Sequence, residues 1–260
     1  MQQLISKNNS KNVIKLFSKL FMKNHKLFLC FVFIFNTFFS AIAVGQSVNQ
    51  NSSAVLTKEQ RDKLTPEQIL QQFKDGNERF RTNHSTGRDL SEQIRLAAVG
   101  QYPKAVVLSC VDSRVPVEDV FDQGLGNVFV ARVAGNFANE DILGSMEFAC
   151  KVAGAKLILV MGHQHCGAIK GAIDDVKLGN LTSLLSKIKP AVEMCQNYKG
   201  EKTSHNEAFV KTVAETNVRN TINTIRSKSP ILKEMEEKGE IKIVGAFYTL
   251  TKGELIFLNQ

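Results

Sequence analysis

From Lys104 onward the chain alternates short, mainly apolar runs with longer stretches whose apolar residues recur every three or four positions. The runs are KAVVLSC (104–110), NVFVARV (127–133), KLILVMG (156–162) and EIKIVGAFY (240–248). Each is apolar on successive residues and rich in β-branched side chains, the pattern of strands buried on both faces. Helical spacing separates them over Asp141 to Val152, after Cys166, and over Asn206 to Ile225. Strand alternating with helix predicts an α/β domain on a mainly parallel β-sheet flanked by helices. The terminal YTLTKGELIFL reads as a turn and a last, antiparallel edge strand.

Upstream of the first run the period is helical. In TPEQILQQFKDGNERFRTN, Thr65 is an N-cap, Pro66 takes the first helical position, and Ile69, Leu70, Phe73 and Phe80 share a face. A second short helix is expected around Leu90 to Val99. Together they predict an N-terminal helical arm on a single domain spanning 66–260. Residues 44–65, polar and rich in Gln, Asn, Ser and Lys, read as a linker.

Residues 1–43 hold six lysines and no acid, then the run LFLCFVFIFNTFFSAIAV, with Ala41-Ile42-Ala43 before a polar stretch. Basic n-region, apolar h-region and small-residue site read as a secretory signal peptide. The run from Leu27 to Val44 has eighteen residues, so an uncleaved anchor is the competing reading, and a transit peptide a poorer one. Met22 offers an alternative start. The assignment changes the charge argument. The whole chain carries 33 basic and 25 acidic residues, +8, but six of the basic ones lie in the signal. The remaining balance of +2 leaves no electrostatic footprint for nucleic acid.

Four cysteines follow the signal: Cys110, Cys150, Cys166 and Cys195. For an exported chain the plain expectation is one or two disulfides. The positions of two of them suggest other chemistry. SCVDSRV puts Cys110 at the tip of the first strand, followed by Asp112 and Arg114. GHQHCG puts His163 at the tip of the third, with Cys166 three residues on, where a helix should begin. Thiolate and imidazole ligands from two strand tips suit a tetrahedral Zn²⁺. A strand-end residue and one in the first helical turn can converge on one ion, whereas sequence neighbours such as His165 and Cys166 point apart. Spacing therefore favours His163 over His165 without deciding it. Cys150 sits on an apolar helix face and reads as a small hydrophobe.

The pair CVDSR and GHQHCG, each closing an apolar strand, resembles the motifs C-x-D-S-R and G-H-x-x-C-G of the β-class carbonic anhydrases. The likeness runs from about Gln68 to the C-terminus and includes NVFVARVAGN, SMEFA and IVGAFYTL. The resemblance implies that Cys110, His163 and Cys166 hold one zinc per subunit, which settles the histidine in favour of His163. It implies reversible hydration of CO2 to bicarbonate and a proton. Zinc lowers the pKa of a bound water to about 7 and so supplies hydroxide. Two thiolates leave that water less acidic than three imidazoles would, so activity should favour alkaline pH.

Asp112 then becomes the acceptor that orients the nucleophile, with Arg114 holding it through a bidentate pair. Released from Arg114, Asp112 could take the fourth zinc position and close the site. Pocket positions implied by the same likeness are Gln101, reaching across a dimer interface, with Phe129, Phe148, Ala134 and Gly135. Phe148 stands where relatives often carry Tyr, and Val133 departs from the commoner RNAGN. The expectation is an exported, periplasmic homodimer or higher homo-oligomer. The rival readings are a hydrolase of a CO2 analogue (carbonyl sulfide or carbon disulfide) and a non-catalytic zinc protein.

Overall fold

The computed structural model describes residues 55–259; the predicted signal and the first half of the linker lie outside them. Chain order begins with three helices, α1 (Lys58–Lys63), α2 (Pro66–Arg81) and α3 (Leu90–Ala97). Then follow β1 (Ala105–Ser109), α4 (Val117–Val120), β2 (Val128–Arg132), and α5 (Glu140–Glu147), which runs on as a π-helical turn over Phe148–Val152. Next come β3 (Leu157–His163), α6 (Gly167–Ile173), α7 (Gly179–Ser186) and α8 (Lys189–Met194). The long α9 (Glu207–Lys228), α10 (Pro230–Glu237), β4 (Lys242–Thr249) and β5 (Glu254–Leu258) complete the domain. Among these helices none is long and apolar enough to cross a membrane.

The five strands form one sheet in the order β2-β1-β3-β4-β5. The first four run parallel and β5 pairs antiparallel with β4, as expected. Parallel strands need crossovers, and the crossover helices cover both faces. On one face Val107, Leu157, Leu159 and Ala246 pack against Ile69 and Phe73 of α2. On the other Leu108, Ile158, Val160 and Ile243 pack against Val218, Ile222 and Ile225 of α9. Helix α9 lies close to the sheet because Gly162 and Gly245 stand beneath Val218. A Cβ at either would come within 2.9 and 2.7 Å of its methyl groups.

Two sequence expectations change. The run NVFVARV forms β2 at the sheet edge, where its side chains are only half-buried. Phe129 and Ala131 still pack on one core cluster and Val128 and Val130 on the other, so both faces are covered and the unpaired flank leaves the strand half-exposed. Inside the stretch read as a linker, α1 is a capped helix. Thr57 Oγ1 accepts from Gln60 N–H, and Gln60 Oε1 accepts from Thr57 N–H. Its Arg61 is buried and donates to the Ala153 carbonyl, and Lys156 donates to the carbonyls of Asp62 and Leu64.

Candidate metal centre and active site

Strands β1 and β3 are neighbours in register, Ser109 opposite Met161. Both point their carboxyl ends to the same edge, where ligands gather in parallel sheets. Cys110 is the first residue past β1, His163 closes β3, and Cys166 is the N-cap residue of α6. The donor atoms of Cys110, His163 and Cys166 all lie within 4.8 Å of one another, and all three residues are buried. Spacing leaned to His163 and the resemblance selected it; the structure brings its ring, and not that of His165, beside the two thiols. His165 sits in left-handed backbone at φ +55°. Its Nδ1 pairs with Glu207 at 2.6 Å on the outer side, where Lys170 also meets Glu207 at 2.5 Å.

The donor set fits a zinc ion on three observations. His163 Nδ1–H is directed at the Gln164 carbonyl, 2.9 Å away, which leaves Nε2 as the lone-pair atom. That Nε2 is buried without a hydrogen-bond partner among the described residues. The two sulfurs stand 4.0 Å apart in a buried pocket. The hydrogen bond from Cys166, helped by the Gly135 N–H, holds the Cys110 thiol well below its usual range. The same bond, with burial, pushes Cys166 up. Protein contacts alone thus favour one thiolate; a soft divalent cation between them stabilises both. All four cysteines described are free thiols, so the expected disulfides do not form among them. Cys150 is buried and pushed up to about 12 by that burial, the small hydrophobe expected.

Asp112 and Arg114 form the fork expected of them. Arg114 Nε donates to Oδ1 at 2.9 Å and its terminal nitrogen to Oδ2 at 2.7 Å, while its backbone N–H also meets Oδ1 at 2.9 Å. These bonds hold the Asp112 carboxyl well below the usual carboxylate range. Asp112 Oδ2 stands 3.8 Å from His163 Nε2, beside the donor set. Of the pocket positions, Gly135 touches a donor, its N–H lying 3.4 Å from Cys110 Sγ. Ala134 precedes it in the same half-buried loop. Phe129 and Phe148 pack on each other with ring centroids 6.1 Å apart, and Phe148 is 52% exposed, so it is not core in this chain. Gln101 is exposed.

Sequence reasoning passed over Arg132. At the end of β2 it donates to the carbonyls of Cys110 (2.8 Å), Asp112 (2.7 Å) and Val115 (3.1 Å). One guanidinium therefore holds the whole loop that carries a metal donor and the acidic acceptor. The available signal was its place: β1 and β2 pair through Ser109 and Arg132, so the residue faces the loop that leaves β1.

Residues 105–255 match the carbonic anhydrase family. The chain is similar to carbonic anhydrase 2 of Mycobacterium tuberculosis, 33% identical over 196 residues, which are 72% of this chain and 90% of that one. A β-carbonic anhydrase of Aspergillus fumigatus superposes with a TM-score of 0.59 at 25% identity, over 74% of this chain and 90% of that one. One of two tetrameric β-carbonic anhydrases of Sordaria macrospora shares the fold at a TM-score of 0.59 and 24% identity, over 64% and 86% of the chains. Sequence match and fold agree: the chain belongs to the β-class carbonic anhydrase family.

Proposed function

We infer that this protein is a zinc carbonic anhydrase, interconverting CO2 and water with bicarbonate and a proton. The observation that carries the reading is the convergence of Cys110, His163 and Cys166 beside an Asp112 already gripped by Arg114. Zinc held by these three donors would lower the pKa of a bound water and so supply the nucleophile near neutral pH. The chain's own residues prepare the rest. Asp112, kept ionised and rotationally fixed by the Arg114 fork, accepts the O–H of the nucleophile and turns its lone pair toward carbon. With both carboxylate oxygens on Arg114, Asp112 stands off the donor set, which favours an open site over a structural metal with four protein ligands.

Gln101, Phe129, Ala134, Gly135 and Phe148 are the proposed substrate pocket, completed by a second subunit. Support for a homodimer or higher homo-oligomer comes from apolar side chains left uncovered in one chain. Leu90 and Ile94 of α3 are 55% and 61% exposed, and Val99, Phe148 and Val152 are 88%, 52% and 73% exposed. Export to a periplasm rests on residues 1–43, with their acid-free basic start, apolar run and AIA site. An N-terminus beginning after Ala43 in the mature protein would support cleavage; one at Met1 or Met22 would not.

The test is stopped-flow CO2 hydration by zinc-loaded protein from about pH 6.5 to 9, with Cys166→Ser as the blank. Zinc-dependent turnover rising with pH is expected. Zinc bound without turnover at any pH would sink the reading and turn attention to CO2 analogues.

A further inference from the structure

Helix α9 buries an apolar face through Val210, Val213, Ala214, Val218, Ile222 and Ile225. Two polar residues lie on that face one turn apart, Asn217 at 1% and Thr221 at 3% exposure. Burying an amide or hydroxyl is unfavourable unless it is hydrogen-bonded, so each should have a specific task. Both reach the same short loop. Asn217 Nδ2 donates to the Gly135 carbonyl at 2.7 Å, across 82 residues of sequence, and Thr221 Oγ1 donates to the Asn136 carbonyl at 3.3 Å.

That loop is a turn closed by Asn136 N–H on the Val133 carbonyl at 2.9 Å. Gly135, its third residue, has φ +82°, the sign that a type II turn demands there. A Cβ on Gly135 would come within 2.3 Å of Ile188, so the site accepts only glycine without rearrangement. Gly135 is thus gripped at both ends. Its carbonyl is fixed by α9, and its N–H lies 3.4 Å from Cys110 Sγ. An N–H aimed at sulfur favours the thiolate, the form that binds metal.

We propose that Asn217 is a positioning residue for the metal centre, holding the Gly135 turn so that its backbone N–H stays on the Cys110 sulfur. It acts through the Gly135 carbonyl rather than on a donor atom, and Thr221 supports the same turn from one helical turn away. The assignment rests on the zinc site inferred above, but it concerns how well the donors hold metal rather than what the metal catalyses.

The test is therefore metal affinity and not turnover. Zinc affinity is measured by competition with a chromophoric chelator for wild type, Asn217→Leu, Thr221→Val and Ile225→Ala. The last removes buried apolar volume from the same helix, two turns away. The same proteins loaded with Co²⁺ report the thiolate-to-metal charge-transfer band. Asn217→Leu should lose about tenfold to a hundredfold in zinc affinity and shift the band, as outer-shell partners of metal ligands do. Thr221→Val should lose less in the same direction, and it carries the test alone if Asn217→Leu does not fold. Ile225→Ala should unfold earlier yet keep wild-type affinity and band. Unchanged affinity in the Asn217 and Thr221 variants, or an equal loss in Ile225→Ala, would overturn the assignment. A wild-type protein that binds zinc with this dependence but does not hydrate CO2 would refute the carbonic anhydrase reading and leave Asn217 in its role.

Discussion

Arg132 Nε donates to the Cys110 carbonyl at 2.8 Å, so the chain that leaves β1 with a metal donor is fastened to the end of β2. A single flat cation with several donors in fixed geometry reaches three carbonyls of one loop. A lysine has one nitrogen and can serve only part of that set. We expect Arg132→Lys to fold and to lose about tenfold in CO2 hydration, and Arg132→Ala to lose more and to bind zinc more weakly. Full activity in Arg132→Lys would show that the loop holds itself.

The Asp112–Arg114 fork should behave as a unit. Asp112→Asn keeps the shape but loses the charged acceptor, and Arg114→Ala frees the carboxylate from its orienter. Each should lower turnover by about a hundredfold with zinc retained, and the double variant should be little worse than either. Additive losses in that cycle would mean that the two side chains act separately.

Lys104 gives a pH signature of its own. Its amine is buried, donates to Gln72 at 2.7 Å, and is pushed down to about 8 by burial, with Arg79 adding to the effect. Between about 8 and the free lysine value near 10.4, the unfolded chain binds a proton that the native state has released. Native stability therefore rises with pH through that window, and below it the full cost of a buried charge is present. In urea unfolding, wild type should gain on Lys104→Met by up to about 3 kcal/mol between pH 7 and 10.5. A stability difference independent of pH would place the charge in contact with water.

Assembly is tested on α3. Ile94→Asp puts a charge on the exposed apolar face shared with Leu90. Sedimentation should show this variant shifted toward monomer, with activity falling in proportion if Gln101 works across an interface. A monomeric variant with full activity would confine the site to one subunit.

Removing the metal should loosen the same end of the sheet. Without a cation the two sulfurs, 4.0 Å apart, cannot both ionise cheaply, and the His163 Nε2 has no hydrogen-bond partner among the described residues. Chelation should lower the melting temperature by several degrees, and zinc should restore it. Cys166→Ser should show a smaller response.

Much of this was legible in the residues. Thr65 and Pro66 announced α2 because an orphan N–H must find a cap and a proline costs nothing at the first turn. The runs that became β1 and β3 were apolar on successive residues because crossover helices cover both their faces. Cys110, His163 and Cys166 were readable because each stands where a strand stops or a helix starts, and local sequence marks those points. The helix at Lys58 to Lys63 carried its own signal, a Thr57–Gln60 capping box hidden in a polar stretch.

The sequence by itself determined most of the elements and their alternation, since these follow from periodicity and caps within a few residues. It also placed Cys110, His163 and Cys166 at strand and helix ends, where the family resemblance marked them as metal donors. Only the tertiary structure decided that β2 is an edge, that Arg132 fastens the Cys110 loop, and that Asn217 reaches Gly135 across 82 residues. Such contacts depend on which strand lies beside which and which helix face meets the sheet. Strand order leaves little trace in the local pattern. A polar residue on a buried face shows that something must satisfy it, and the fold supplies the partner.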